Sequence, residues 1–83
     1  MKIIDKLIRK LGYEYIDNIR IKSRWKRTPP KQTKMEYKRY YYMLYGMYQS
    51  KIIINKNNTL VDGYTTYLLE KEKGKKLVKV KRI

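Results

Sequence analysis

Apolar and polar residues recur along this chain with a period that changes several times. Over residues 1–11, Ile3, Ile4, Leu7, Ile8 and Leu11 fall at helical spacing, while Lys2, Lys6, Arg9 and Lys10 lie elsewhere around the axis. This predicts an amphipathic helix stopped by Gly12. Its apolar stripe is expected to pack on a sheet, in preference to lying on a membrane surface. From Tyr13 to Lys22, aromatic and β-branched residues alternate with polar ones, the pattern of a strand, with a kink at Asp17-Asn18. The stretch from Lys22 to Lys34 has no such period and contains Pro29-Pro30, so it is expected to be a wholly or partly ordered loop.

Thr33-Lys34-Met35-Glu36 matches a capping box, which predicts a helix from about Lys34 to Tyr45 ended by Gly46. Tyr37, Tyr41, Leu44 and Tyr48 share one face and are expected inward; Lys38, Arg39, Tyr42 and Tyr45 fall largely elsewhere. Residues 51–55 and 59–62 read as strands joined by the turn Asn55-Lys56-Asn57-Asn58. A helix is expected from Tyr64 to about Lys73, with Gly74 ending it. The alternating tail, Leu77 to Ile83, reads as a last strand with Val78 and Val80 inward. No internal repeat or linker divides the chain. Residues 1–83 are therefore expected to form one α+β domain, a small mixed β-sheet with packed helices in the order α-β-loop-α-β-β-α-β.

Composition narrows the chemistry. The 83 residues carry 22 Lys and Arg against 7 Asp and Glu, a formal charge of +15, with no Cys and no His. Disulfides, thiol nucleophiles, zinc-thiolate sites and the usual general base are thereby excluded. The carboxylates are scattered singly, so no metal site, cofactor or catalytic pair is expected, and a non-enzymatic role is favoured. No apolar run approaches the ~20 residues of a membrane span, and the start of the chain lacks the pattern of a secretory leader. A soluble, cytoplasmic protein is the expectation. The abundance of Lys, Ile, Asn and Tyr is what an AT-rich coding sequence produces, but that bias does not account for the scarcity of Glu. A preference for positive charge remains, which favours a polyanionic partner over an acidic protein surface or a merely solvated basic one.

The clearest binding signal is residues 22–34, where Lys22, Arg24, Lys26, Arg27, Lys31 and Lys34 occur without an acidic residue and Trp25 sits among them. Cations neutralise phosphates while an indole stacks on a base or supports an Arg, the division of labour at single-stranded nucleic acid. Trp25 serves equally well as a core plug, and both readings stay open. Lys38 and Arg39, beside outward tyrosines, extend the candidate nucleic-acid-binding set. Ten Tyr and no Phe suit a wet, hydrogen-bonding interface, or equally reflect the same coding bias.

The run Ile52-Ile53-Ile54-Asn55, Leu60-Val61-Asp62-Gly63-Tyr64, Leu68-Leu69, Lys71, Gly74, Val78, Val80 resembles the core of the N-terminal domain of the ParB and sulfiredoxin superfamily. Ile16-Asp17-Asn18-Ile19 is similar to that family's first strand, and Tyr41 to Gly46 to its pre-strand helix. The resemblance covers most of residues 13–83 and implies that fold. In the family, the residues after the Asp-Gly turn include His or Glu and Arg that bind nucleotide phosphates at a helix N-terminus. Here Tyr64, Thr65 and Thr66 follow Gly63, leaving an anion-binding turn without that charge. Asp62 is expected to cap the helix. Sulfiredoxin's essential Cys has no counterpart. The chain ends where ParB proteins continue into a helix-turn-helix domain, and so resembles short stand-alone ParB-like proteins of phages and mobile elements. The expected function is sequence-tolerant binding of DNA or RNA. The alternative is an inhibitor or adaptor that binds a host protein or nucleoprotein complex, such as a defence system, through the same surface.

Overall fold

The computed structural model describes residues 3–83, and within them the alternating tail becomes the strand that joins the two halves of the sheet. In chain order the elements are α1 (Ile3–Lys10), β1 (Tyr13–Tyr15), a 3₁₀ turn (Ile16–Asn18), α2 (Ser23–Arg27), α3 (Gln32–Tyr45), β2 (Ile52–Ile54), β3 (Leu60–Asp62), α4 (Tyr64–Glu72) and β4 (Leu77–Arg82). The sheet runs β1-β4-β2-β3: β4 is antiparallel to β1 and parallel to β2, and β2 is antiparallel to β3. This is the mixed α+β architecture expected.

Two-residue periodicity decides which face is buried. Val78 and Val80 point inward as expected, Ile52 lies opposite Val80, and Ile54 lies opposite Leu60. With Ile16, Ile19 and Tyr67 these residues form one apolar cluster, flanked by Ile21, Trp25, Tyr64 and Leu68. The β2–β3 turn is stitched by Asn55, whose Oδ1 accepts from the N–H groups of Asn57 and Thr59 at 2.9 and 3.0 Å.

The structure corrects several expectations. The strand expected over 13–22 stops at Tyr15; the 3₁₀ turn carries the chain across the end of the sheet, and Arg20 then bridges Thr59 beside β3. The Asp17-Asn18 kink thus became a change of sheet edge. Residues 22–34 are not all loop, because α2 forms before the prolines. α3 begins at Gln32 rather than Lys34. Its N-cap residue is Lys31, held extended directly after Pro30, and no side chain caps it, so the Thr33–Glu36 box lies inside the helix. Asp62 is not the cap of α4: Gly63 occupies that position, and Asp62 Oδ1 accepts from the Gly63 N–H at 2.8 Å. Of the face of α3 expected inward, Tyr37 and Leu44 are exposed, while Tyr41 and Tyr48 are half-buried. So is the apolar stripe of α1, where Ile3, Ile4, Leu7 and Leu11 are uncovered although the helix packs against β1. Met1 and Lys2, the start of that expected helix, lie outside the described residues.

One buried carboxylate explains how α1 is held. Glu14 is fully buried, and its Oε1 accepts from Arg9 Nε at 3.2 Å and Arg82 Nη2 at 3.1 Å. Its Oε2 accepts from the Tyr15 N–H at 2.9 Å. Burial pushes this carboxyl up, but the Tyr15 N–H, the Arg9 charge and Asn18 outweigh it and hold it below its ordinary 4.5. A second tie joins Asp5 of α1 to the Tyr15 hydroxyl, which donates at 3.1 Å.

Because the folded carboxyl titrates below its unfolded counterpart, the stability that Glu14 contributes is complete above pH 4.5 and is lost as pH falls through the depressed folded value. Glu14→Gln is expected to cost about 2–3 kcal/mol near neutrality and to make stability fall less steeply in acid, as read by urea unfolding between neutrality and acid pH. At Gly63, φ is +86°, and an added Cβ would stand 2.1 Å from the Lys51 carbonyl oxygen and 2.9 Å from Ile52 Cα. Gly63→Ala is expected to cost about 3 kcal/mol or more, since backbone must move, lowering Tm by roughly 12–24 °C. Gly74→Ala, with the same handedness but nothing within 4 Å, is expected to cost about 1 kcal/mol. Equal losses would show that crowding at Lys51 is not what requires glycine.

Candidate nucleic-acid interface

A single apolar side chain anchors the basic segment. α2 has five residues, and Trp25 is the one that turns inward, half-buried on the core cluster with its ring centroid 5.6 Å from that of Tyr64. Lys22, Arg24, Lys26 and Arg27 are left exposed around it, as are Lys31 and Lys34 beyond the prolines. The Arg24 guanidinium stands 5.2 Å from the Trp25 ring centroid, and the Thr28 hydroxyl donates to the Arg24 carbonyl at 2.9 Å, closing the helix. Trp25 is therefore a plug that fixes the direction of its neighbours. Its indole Nε1 is buried and has no hydrogen-bond partner.

The prolines return the chain so that α3 starts beside the β3–α4 turn. A cavity of about 150 Å³ opens where these segments meet. Trp25, Thr28 and Pro30 form one wall; Lys34 and Lys38, one helical turn apart on α3, form a second; Ser50, Asp62, Gly63, Tyr64 and Thr65 complete it. The fold thus brings the basic segment and the turn at Gly63, which are far apart in sequence, to one place. The first hydrogen bond within α4 runs from Tyr67 N–H to the Gly63 carbonyl, so the N–H groups of Tyr64, Thr65 and Thr66 have no acceptor inside the helix. Helix-start donors and two ammonium groups attract an anion here, and the Asp62 carboxylate in the same wall opposes it. The cavity is smaller than the roughly 300–1,000 Å³ of sites that enclose whole small molecules. Its size fits one phosphate group of a longer chain.

Not every candidate residue joins this site. Thr66 is buried with its hydroxyl turned away, donating to the Ser50 carbonyl at 2.8 Å. Arg39 reaches α4, where Nε and Nη2 donate to the two oxygens of Glu72 at 2.9 and 2.6 Å. That pairing raises Arg39 and lowers Glu72 from their ordinary values. Lys38 Nζ lines the cavity while donating to Gln49 Oε1 at 2.7 Å. Beside the Arg39 pair, Lys73 Nζ lies 3.5 Å from the Tyr42 ring centroid and 5.0 Å from that of Tyr48, while the Tyr48 hydroxyl donates to Glu70. Burial, and then this bond, pushes the Tyr48 phenol far up. These contacts join α3 to α4 and pair Arg39 with Glu72.

Sequence reasoning missed Thr28, Pro30, Ser50 and Asp62 as cavity residues and Glu72 as the partner of Arg39. Nothing in local spacing marks them, since each meets its neighbours only through the fold. A larger cavity of about 380 Å³ lies between the α3–β2 connection and the sheet, lined by Met47, Ile52 and Val80 and rimmed by Lys51, Lys79 and Lys81. Among the described residues, no cluster of Asp and Glu could hold a metal ion, and no helix is long and apolar enough to cross a membrane.

No protein-family model and no curated protein matches this chain. Solved structures do. The pNOB8-like ParB N-domain superposes with a TM-score of 0.65 at 21% identity, over 84% of this chain and 25% of that one. The C2221 form of the Pnob8-like ParB-N domain gives 0.66 at 23% identity, over 84% of this chain and 28% of that one. The present chain spans about a quarter of either. Its described structure, from the Asp-Gly turn to the parallel pairing of β2 and β4, has the fold of a ParB N-domain.

Proposed function

We propose that this chain is a small, non-enzymatic nucleic-acid-binding module that grips the phosphate backbone with little regard for sequence. The observation that carries the reading is the run Lys22, Arg24, Lys26, Arg27, Lys31 and Lys34: six exposed cations with no intervening carboxylate, steered outward by Trp25 and leading to the cavity at the start of α4. Phosphates crossing α2 would meet these side chains in succession, and one could enter the cavity against Lys34 and the α4 amides. Arg39 has no part in this, being held by Glu72, and Trp25 acts as support for Arg24. The nucleotide-phosphate role of the ParB-like turn is reduced here to one backbone phosphate, since Tyr64, Thr65 and Thr66 bring no charge. A cytoplasmic setting in a phage or other mobile element of an AT-rich genome fits the composition.

The test is fluorescence anisotropy with labelled single- and double-stranded DNA and RNA across a salt series. Six phosphate contacts predict that log affinity falls by about 4–5 per decade of salt. Changing Arg24, Lys26 and Arg27 together to Ala is expected to lower that slope by about 2–3. Arg39→Ala is expected to leave it nearly unchanged. Weak binding that ignores the triple change would overturn the reading and favour a host-protein target for the basic surface.

A further inference from the structure

The last strand changes partner halfway along its length. β4 pairs with β1 over Leu77 to Lys79, and with β2 only from Val80, which stands opposite Ile52, to Arg82. Short of that point the chain arriving from α3, residues 47–51, lies off β4, and the cavity of about 380 Å³ occupies the gap. Ile52, Val80 and Thr66, all buried, form its floor. Side chains alternate along a strand, so Lys79 and Lys81 flank Val80 from the other side of the sheet, and Lys51, one residue before Ile52, continues the register opposite Lys79. All three are exposed, and among the described residues none makes an ion pair. Like charges set opposite one another across strands are destabilising, and no carboxylate lines the cavity to offset these.

We infer that this slot is a binding site for a small organic carboxylate with an apolar body, its head held among Lys51, Lys79 and Lys81 and its body laid on Met47, Ile52 and Val80. Size admits such a molecule, since the volume lies within the roughly 300–1,000 Å³ of small-molecule sites, unlike that of the cavity at the start of α4. The lining selects the body. Its polar side chains are already engaged: the Thr66 hydroxyl donates to the Ser50 carbonyl at 2.8 Å and stands 3.3 Å from the Ser50 hydroxyl, and the Tyr48 hydroxyl donates to Glu70. A nucleobase or a sugar laid on Ile52 and Val80 would leave its hydrogen-bonding edges unpaired, which opposes binding. A hydrocarbon body has no such edges and gains from leaving water. Charge selects the head, because an anion is what relieves three neighbouring ammonium groups. The two cavities share no basic residue, so this site stands independently of the nucleic-acid reading.

The experiment is an NMR titration of isotope-labelled, nucleic-acid-free protein with decanoate, set beside decanol, which keeps only the body, and acetate, which keeps only the head. Decanoate is expected to shift the methyl resonances of Met47, Ile52 and Val80 to saturation, with a dissociation constant of about 0.1–1 mM for a ligand of about twelve heavy atoms. It is expected to bind at least about 10-fold more tightly than decanol or acetate. Lys51→Gln, Lys79→Gln and Lys81→Gln together are expected to abolish that preference for the carboxylate, whereas changing Arg24, Lys26 and Arg27 together to Ala is expected to leave decanoate binding unchanged. Unsaturable shifts spread along the exposed apolar residues of α1 and α3, decanol bound as tightly as decanoate, or a triple Gln variant that keeps the preference would each overturn the inference. The decanol comparison is made on the unaltered protein, so it decides the question even where the triple Gln variant does not fold. Saturable decanoate binding by a protein that ignores nucleic acid would leave this site standing and remove only the proposed function.

Discussion

The approach of Gly63 to the Lys51 carbonyl is the constraint on which the arrangement of this molecule rests. Where β3 turns into α4, the backbone passes so close to the start of β2 that even one methyl group would meet the Lys51 carbonyl. Contact at that distance fixes α4 against β2 and places Ser50, Asp62 and Thr65 around one opening. Thr66, one residue on, locks the same junction through the Ser50 carbonyl. The crossover from β2 through β3 and α4 to the parallel strand β4 follows from this turn, and so does the wall against which Trp25 and Tyr64 pack.

A second economy governs charge. Of the seven carboxylates, five are engaged by the protein itself: Asp5 by Tyr15, Glu14 by Arg9 and Arg82, Asp62 by the Gly63 amide, Glu70 by Tyr48 and Glu72 by Arg39. The scarce negative charge therefore serves to join elements: α1 to β1, α3 to α4, and the chain end to Glu14. The cations of residues 22–34 keep water for neighbours, which maximises the potential they present to a polyanion. Internal carboxylates and an external basic segment are two sides of one distribution.

The apolar surface is divided in a comparable way. The strands bury their inward residues in a thin core, as a domain of this size must. α1 and α3 leave their apolar sides outside, although both are anchored by polar contacts on the other side. On α3 the side that meets α4 and Tyr48 carries Arg39, Tyr42 and Lys38, and Tyr37 and Leu44 lie on the other side.

Local periodicity and punctuation carried most of the architecture. The alternation Leu77-Val78-Lys79-Val80, the Ile52–Ile54 run, the Asp62-Gly63 turn and the glycines after helices are short-range signals, and they specify strands, helices and their order because backbone geometry is itself local. The exposed basic segment was legible for the same reason, since six cations without a carboxylate need no partner to be noticed. What tertiary structure decided were the contacts between distant residues. Arg39 was read as a candidate nucleic-acid contact, and only the fold sets it against Glu72, 33 residues away; of the face read as inward, Tyr37 and Leu44 stand exposed while Tyr41 is half-buried. Helical spacing says which residues share a side but not which side faces the core. That choice belongs to the balance of ion pairs, stacking and burial across elements, and exists only once they have met.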